Sequence, residues 1–548
     1  MEFTARNMWW FVFLACALGC NRGARTALDA GTEKTPVMVA DSGKPASAGA
    51  VPESGAGGAV SAGTGASDAQ GGVGGSIDQP VMDAGTPRRS VAVDAAITSA
   101  SADAGGGDAG AAPALDSEIA SAVSAVDAMR IASSVAKLAA FTTRNTCSNN
   151  TSSGNAIGAA RDWIQAQLQA APSFTVSLED FAASGCGRGT GAVQNVLAVK
   201  LGARPERVFV IGGHYDSRSI NGNDPTSVAP GANDSGSQTA ALIEVAHVLA
   251  RIELDATVLI AAFAGEEQGL LGSAQLAKEV AKFVVPDAAV EAMFNLDIVG
   301  GDNTVNNEAT LQQFRLFSPG TPRERNTRTG ATDDTSPARG VMRYIGHWGR
   351  VFVPSMTMVP VLREDRPSRG GDHESFNDVG IPAVRFIETM ESPNSGTNES
   401  HQHSPNDLPM YVTPSYTARI AQIVASVAAS LARAPMAPKI EGATVGAAGA
   451  VTVRWSAPAA GPAVDHYVIA ARPTSENFYH ARVVAPAAAT SREVTALELG
   501  LAPGSAFFLS VASVDRAGHE SLFAYPEHRC DASGCVVQPG SLDVTTRN

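Results

Sequence analysis

Basic residues are scarce in this chain of 548 residues, which carries 40 Lys and Arg against 54 Asp and Glu and a formal net charge of −14. Charged residues make up only 17% of the sequence, and no block rich in Lys or Arg occurs. Proteins that neutralise phosphates need such a block, so the composition argues against a nucleic-acid-binding surface. The length allows two or three domains.

Long hydrophobic runs are also missing. The apolar stretch at residues 8–18 is too short to cross a hydrocarbon core about 30 Å thick. With Arg6 before it, the stretch predicts a secretory signal peptide over residues 1–20. Its end, Ala17-Leu18-Gly19-Cys20, resembles a bacterial lipoprotein cleavage box with Cys20 as the lipidated residue. We expect an exported protein that meets the cell envelope only through a lipid anchor, with ordinary secretion as the alternative.

Aromatic residues are absent from residues 21–115, which are rich in Gly, Ala, Ser, Asp and Pro. Such a segment cannot bury enough apolar surface to offset the entropy lost on ordering. We predict a disordered linker over residues 21–115 that holds the following domain away from the membrane.

Cysteines are few, and two of the six lie in the signal region. The other four group by position as Cys147 with Cys186 and Cys530 with Cys535. Disulfides are the expected state in an exported protein, and free thiols are the alternative for each pair.

Regular hydrophobic patterns begin near residue 116, where apolar residues at helical spacing predict one amphipathic helix. These residues are Ile119, Val123, Val126, Met129 and Ile131. A second helix is predicted over residues 158–170, and a last one starts at Thr413-Pro414. Between them, strands over 193–201, 208–212, 258–263, 293–298 and 382–387 alternate with helices over 235–252 and 270–282. This order predicts an α/β domain over residues 116–435, with a mostly parallel sheet and helices on both faces.

Residues 437–545 change character, because short alternating strands with turn signals between them replace the helices. Such a pattern predicts an all-β sandwich. Trp455, Tyr467 and the Leu-x-Pro-Gly pattern ending at Gly504 resemble a fibronectin type III domain. Phe507 stands where that family usually carries the Tyr of its corner motif.

Two adjacent carboxylates, Glu266 and Glu267, follow the apolar run at residues 258–263 in a Gly-flanked turn. A buried strand that delivers two acids to its tip is costly unless that place binds positive charge. A metal site explains the pair, with one Glu as a ligand and the other as a general base.

Further candidate ligands follow other predicted strands or lie in loops. They are His214 and Asp216 after the strand at 208–212, Asp234 before a helix, Asp297 at the end of the strand that starts at Met293, and His403 in a late loop. In open α/β sheets, ligands bind at the carboxyl ends of the strands. Helix capping is the alternative role for Asp234, and a strand-terminal turn is the alternative for Asp297.

Over residues 118–434 these motifs resemble, in order, the co-catalytic di-zinc aminopeptidases of the bacterial leucyl aminopeptidase and aminopeptidase Y type. The motifs are His214-Tyr215-Asp216, Asn233-Asp234-Ser235-Gly236, Glu266-Glu267, Asn295-Leu296-Asp297 and the late His. The resemblance implies peptide substrates and two Zn²⁺ ions. It assigns Asp234 as the bridging carboxylate, His214 and Asp297 to one ion, and Glu267 and His403 to the other. Glu266 would be the general base, and Asp216 would orient His214.

His401 is the alternative to His403, although His403-Ser404-Pro405-Asn406-Asp407 fits the family's His-Thr-Pro-x-Asp form. Gln402 replaces a Tyr that often precedes this His, and its amide is a candidate donor to the reaction's oxyanion. His373 also lies in a family-like segment, but we assign it no catalytic role.

The alternatives to an aminopeptidase are three. A carboxypeptidase of the same fold would capture a substrate carboxylate with Arg363, Arg366 or Arg369. A glutaminyl-cyclase-like acyltransferase would need one zinc ion, and His214 with Asp216 argues against it. A catalytically inactive surface binding protein is suggested by the linker and the β-domain. No ligand of the β-domain can be read from its sequence.

Overall fold

The computed structural model describes residues 115–152, 154–183, 186, 192–319, 335–365, 369–391, 401–446 and 449–537. The predicted signal peptide, Cys20, nearly all of the predicted linker, Arg366 and the end of the predicted β-domain lie outside the described residues. Within the described part, no single helix has the length and apolar character needed to cross a membrane. The first two helices meet these criteria only together, as a pair bent by 50°.

The α/β part is built on an eight-stranded sheet. Its strands are β1 Thr175–Ala182, β2 Ala192–Lys200, β3 Arg204–His214, β4 Ala256–Phe263, β5 Ala289–Leu296, β6 Gln313–Phe317, β7 Thr357–Val361 and β8 Ala383–Glu388. They lie in the order β1-β2-β4-β3-β5-β8-β6-β7. The central strands β4, β3, β5 and β8 are parallel, whereas β1 with β2, β2 with β4 and β6 with β8 pair antiparallel. The predicted α/β class is confirmed, with antiparallel pairs towards both edges.

Helices cover both faces of this sheet. They are α1 Ser117–Ser124, α2 Ala128–Ala139, α3 Ile157–Gln169, α4 Gln238–Leu249, α5 Leu271–Phe283, α6 Pro337–Phe352, α7 His373–Asp378 and α8 Pro414–Arg433. On β3, Phe209 and Ile211 belong to one core, shared with most of the helices, while Val208 and Val210 belong to a second core with α5 and α7. The side chains of a strand alternate between faces, so a strand buried on both faces is a continuous apolar run.

The single N-terminal helix predicted from apolar spacing is wrong, because α1 and α2 are separate. Asp127 accepts the backbone N–H of Met129 at 2.8 Å and caps α2. A capping residue has non-helical backbone angles, so it ends the continuity of the helix. Met129 is consequently 74% exposed, whereas Ile131 is buried.

Residues 439–537 form two antiparallel sheets around one core. The strands are β9 Lys439–Val445, β10 Val451–Ser456, β11 Val464–Pro473, β12 Arg482–Pro486, β13 Ser491–Val494, β14 Phe507–Asp515, β15 His528–Asp531 and β16 Gly534–Val537. Their orders are β13-β10-β9 and β12-β11-β14-β15-β16. The rings of Trp455 and Tyr467 meet in the shared core at 5.2 Å, and Phe507 is buried there. The Cys530–Cys535 disulfide links β15 to β16.

Helix α6 packs against this β-region. The Arg343 guanidinium donates from Nε to the carbonyl of Asn477 at 2.8 Å. Gly346 leaves room for Phe478, because a Cβ at Gly346 would lie 2.8 Å from Cε1 of that ring. The α/β part and the β-region therefore meet through both polar and apolar contacts of one helix.

Candidate metal centre

The candidate site forms where parallel strands end side by side. His214 is the last residue of β3 and lies beside Phe263, the last residue of β4. Glu266 and Glu267 follow β4 closely, and Asp297 directly follows β5. The parallel register therefore brings the ends of three strands, with their polar side chains, to one edge of the sheet.

His214, Asp234 and Asp297 form what we call the first donor group. The Nε2 atom of His214 lies 3.5 Å from Oδ1 of Asp234 and 3.3 Å from Oδ1 of Asp297. All three side chains are buried, and their donor atoms lie within 4.8 Å of one another. This spacing is suited to one shared cation.

Asp234, Glu267 and His403 form the second donor group. The Nε2 atom of His403 lies 3.1 Å from Oδ2 of Asp234 and 3.1 Å from Oε1 of Glu267. Asp234 therefore belongs to both groups. Its Oδ1 faces His214 of the first group, and its Oδ2 faces His403 of the second.

The turn that carries Asp234 is held in place by other parts of the chain. Asp407 accepts the backbone N–H of Asn233 at 2.8 Å and that of Asp234 at 3.0 Å. Gln402 donates from Nε2 to Oδ2 of Asp234 at 2.6 Å, so its amide serves this carboxylate. Gly231 has φ +54°, and a Cβ there would lie 2.5 Å from the carbonyl oxygen of Asp234, so the turn needs glycine.

Asp216 is completely buried behind His214. Its Oδ1 lies 3.6 Å from Nδ1 of that imidazole. Its carboxylate also accepts the backbone N–H groups of Glu266 and Glu267, each at 3.3 Å, and the Thr146 hydroxyl at 3.1 Å. Asp216 thus ties the end of β3 to the loop that carries the two glutamates.

A buried arginine supports Asp297. Arg385 of β8 is 1% exposed, and its guanidinium lies 2.8 Å from Oδ2 of Asp297 and also pairs with Asp365. Burial alone would raise the pKa of Asp297, but the charge of Arg385 and the contact with His214 lower it. The sequence patterns do not identify Arg385 as a site residue, although a charge inside the apolar run of β8 is a signal for such a role.

Glu266 lies half-buried in the wall of a cleft of about 490 Å³. The cleft is lined by residues that include both donor groups together with Arg218, Leu270, Ile298, Arg369, Glu374 and Gln402. Desolvation raises the pKa of the Glu266 carboxyl well above its usual range, and the charges of Glu267 and Asp297 reinforce the shift. Positive charge bound nearby would favour the ionised form of this carboxyl group. In that form the carboxylate can accept a proton.

The site as a whole favours positive charge. Burial would lower the pKa of His403, but Glu267 and Asp234 raise it to about 9. Burial likewise opposes charge on His214, yet contacts with Asp216 and Asp297 raise its pKa well above the usual value. One imidazole nitrogen and two carboxylates in each group form a donor set that suits zinc.

Other predicted or weighed residues lie outside the donor groups. The ring of His401 stacks on Tyr411 at 3.7 Å, and its Nε2 lies 3.2 Å from the hydroxyl of Thr304. The structure therefore brings His403, and not His401, to the second donor group. His373 is fully buried and belongs to neither group.

Arg369 and Arg363 differ in position. Arg369 lines the cleft, and its guanidinium lies 3.3 Å from Oε2 of Glu391. Arg363 is exposed and does not line the cleft. Arg218 also lines the cleft, but no motif in the sequence points to it.

A buried segment before the sheet completes the support of the site. Arg144 is fully buried and donates hydrogen bonds to the carbonyls of Tyr215 and Gly231, each at 2.8 Å. Cys147, three residues later, is bonded to Cys186 with an S–S distance of 2.04 Å. Both predicted disulfides are thus present.

A sheet that gathers two imidazoles and several carboxylates in one cleft at the ends of its parallel strands is typical of a metal-dependent hydrolase. Residues 195–428 match the model of peptidase family M28. Two relatives that are 36% and 34% identical to this chain are covered over 79% and 87% of their own lengths. The chain therefore belongs to peptidase family M28.

Two fungal relatives are each named a probable zinc metalloprotease. The protein of Leptosphaeria maculans is 36% identical over 351 residues, which cover 60% of this chain and 79% of that protein. The protein of Pyrenophora tritici-repentis is 34% identical over 390 residues, covering 66% and 87%. Among solved structures, the LapA aminopeptidase of Legionella pneumophila is similar with a TM-score of 0.44 and 16% identity, over 60% of this chain and 78% of that one.

Proposed function

We propose that the two donor groups hold two zinc ions bridged by Asp234. The observation that carries the proposal is the division of its carboxylate, with Oδ1 facing His214 and Oδ2 facing His403. His214 and Asp297 would complete the first ion's ligands, and Glu267 and His403 the second's. When bound, zinc ions supply Lewis acidity that polarises a carbonyl and lowers the pKa of water.

Glu266 is the proposed general base. Its carboxylate would take a proton from the attacking water and deliver it to the nitrogen of the leaving amine. Asp216 would keep the imidazole of His214 oriented, because its carboxylate faces Nδ1 and leaves Nε2 directed at Asp234 and Asp297. Gln402 would hold Oδ2 of Asp234 through its amide.

The proposed reaction is removal of N-terminal residues from peptides. Its support is the resemblance of five motifs, in order, to di-zinc aminopeptidases. Arg369 in the cleft wall favours a carboxypeptidase as the second candidate, since its guanidinium is of the kind that binds a substrate carboxylate.

A panel of aminoacyl-nitroanilides, blocked and unblocked at the amine, tests the activity. We expect cleavage of the unblocked compounds alone, abolished by a chelator and restored by zinc. If peptides blocked at the amine but free at the carboxylate are cleaved instead, the carboxypeptidase is right. If the folded, zinc-loaded protein cleaves neither class, the enzyme proposal fails and a binding role replaces it.

We also propose that the protein is exported and lipidated at Cys20, and that the β-region is a fibronectin type III-like accessory module. The cleavage-box sequence and the pattern of Trp455 and Tyr467 support these two proposals. Radioactive palmitate should label the full chain in a bacterial host and should not label Cys20→Ala. Equal labelling of both chains would refute the anchor.

A further inference from the structure

Five acidic residues line the cleft in the part of the chain that the structure describes. Asp234, Glu267 and Asp297 belong to the donor groups, and Glu266 is the proposed general base. Glu374 is the fifth, and it has neither of these roles. A carboxylate in the wall of a binding cleft, outside its metal centre, is a candidate to recognise a charged group of the substrate.

Glu374 lies along the wall of the cleft. It belongs to the first turn of α7 and is half-buried. Its carboxylate lies against Gly370, where a Cβ would be 2.6 Å from Oε1 and 2.9 Å from Oε2. Both residues line the cleft. The missing side chain of Gly370 therefore leaves the room in the wall that this carboxylate occupies.

An apolar side chain shares this wall. The buried hydroxyl of Ser375, next to Glu374, lies 2.9 Å from the hydroxyl of Ser273 in α5. The Ser273 hydroxyl also donates to the carbonyl of Leu270 at 3.2 Å. Leu270 directly precedes α5, is half-buried and lines the cleft. These contacts bring the starts of α5 and α7 together, so that Leu270 and Glu374 belong to the same wall.

The arginines of the cleft do not favour an anionic side chain of the substrate, because each lies against an acidic residue of the protein. The pairs are Arg218 with Glu267 at 2.8 Å, Arg369 with Glu391 at 3.3 Å, and Arg385 with Asp297 at 2.8 Å. The positive charge of these guanidinium groups is thus offset within the protein, and a substrate anion gains less from them.

We propose that Glu374 selects peptides whose N-terminal residue is Lys or Arg. These side chains have an apolar stem and a charged head. The stem would lie along Leu270, and the head would meet the carboxylate of Glu374. The α-ammonium group of a peptide has no such stem. Glu374 is a specificity-determining residue in this scheme, and the inference rests on the proposed aminopeptidase function.

The test compares two substrates of the zinc-loaded, full-length protein, the nitroanilides of lysine and norleucine. Norleucine has the same unbranched carbon stem without the ε-ammonium group. We expect kcat/KM for the lysine compound to exceed that for the norleucine compound by about tenfold or more. In Glu374→Gln, which keeps the size of the side chain and removes its charge, the ratio should fall to about 1. Glu374→Asp keeps the charge and should retain part of the preference.

Glu308→Gln is the control, because Glu308 is exposed and does not line the cleft, so the ratio should keep its wild-type value. Calorimetric binding of free lysine and norleucine to the same proteins should show the same change in preference. Equal melting temperatures of the wild type and Glu374→Gln, with the Asp variant as a second case, would exclude a folding effect.

Three results would overturn the inference alone. The first is a wild type that cleaves both compounds equally well, and the second is a wild type that cleaves the nitroanilide of glutamate faster than either. The third is an equal loss on both compounds in Glu374→Gln, which would show that Glu374 binds the α-ammonium group. If no unblocked nitroanilide is cleaved, the proposed aminopeptidase fails and the inference fails with it.

Discussion

The carboxylate of Asp407 accepts the backbone N–H of Asp234 at 3.0 Å, although 173 residues separate the two in the chain. The same carboxylate accepts the neighbouring N–H of Asn233. Together these bonds fix the turn from which Asp234 faces both donor groups. The late loop that supplies His403 therefore also sets the position of the shared carboxylate.

Asp407→Asn should weaken zinc binding by about 10- to 100-fold. An asparagine keeps one acceptor, but its amide hydrogens would face the backbone N–H groups of Asn233 or Asp234. Competitive zinc titration measures the effect. Asp465→Asn, at an exposed position of β11, is the control, and equal affinities in the two variants would show that Asp407 does not position the site.

Glu266→Gln should lower kcat by roughly 10²- to 10⁴-fold while zinc content stays the same, since an amide cannot take the proton of water. Zinc content by elemental analysis and kcat on a preferred nitroanilide are the two measurements. Glu279→Gln, a change at a half-buried position of α5 that does not line the cleft, should leave both unchanged. Activity of Glu266→Gln within a few-fold of the wild type would remove Glu266 from the mechanism.

Gly346→Ala and Gly340→Ala form a matched pair within α6. A Cβ at Gly346 would lie 2.8 Å from both Phe478 and Met358, whereas a Cβ at Gly340 meets no atom within 4 Å. Both changes gain helix propensity. Gly346→Ala should therefore be the less stable of the two, by about 1–3 kcal/mol in the free energy of unfolding.

Chemical denaturation of the two variants measures this difference. Equal free energies of unfolding would show that α6 and the β-region can move slightly apart without loss of stability. The close packing around Phe478 predicts the opposite.

His519 should make stability depend on pH. Its Nε2 lies 2.7 Å from Oδ2 of Asp116 and its Nδ1 lies 2.8 Å from Oδ2 of Asp515. Burial would lower the pKa of His519, but the hydrogen bonds to these carboxylates raise it above 6.5. A histidine whose pKa rises on folding adds to the free energy of unfolding, and this contribution is fully present when the pH is below the pKa of the unfolded state. That stability is lost as the pH climbs through the folded pKa.

His519→Gln should accordingly lower the free energy of unfolding by on the order of 1 kcal/mol near pH 5.5, and by less as the pH rises beyond 7. Asp116 stays ionised in this window. Burial would raise its pKa, but hydrogen bonds from His519 and the Ile119 amide, with Arg433, lower it to about 2. The stability that ionised Asp116 contributes is lost only as the pH falls from about 4 to about 2. A pH-independent difference between wild type and variant would contradict the assignment.

The strand ends of the site were predictable because local signals coincide there. The apolar runs of β3, β4 and β5 are each followed within a few residues by His214, Glu266 or Asp297. A run of buried residues that stops at a charged side chain is visible in one short window of sequence. Helix α6 was not predicted, although Ser336 before Pro337 is a typical helix start. The Ser336 hydroxyl accepts the backbone N–H of Arg339.

Arg218, Asp407 and Arg385 could not be found in this way. Each contacts a partner that the fold brings from far along the chain, such as His403 for Arg218, 185 residues away. No spacing or periodicity in the sequence indicates such a contact. The break between α1 and α2 was missed for the opposite reason, since the apolar spacing continues through Asp127 while its local capping bond ends the helix.

The position of Asp234 has an evolutionary consequence. If the two donor groups bind two zinc ions as proposed, a single codon change at Asp234 would remove a ligand from both ions, whereas a change at His403 or Asp297 would remove a ligand from one. Among genes descended from a common ancestor, loss of this aspartate would therefore mark a copy that has given up hydrolysis altogether. Loss of a peripheral ligand would mark a copy still able to keep one ion.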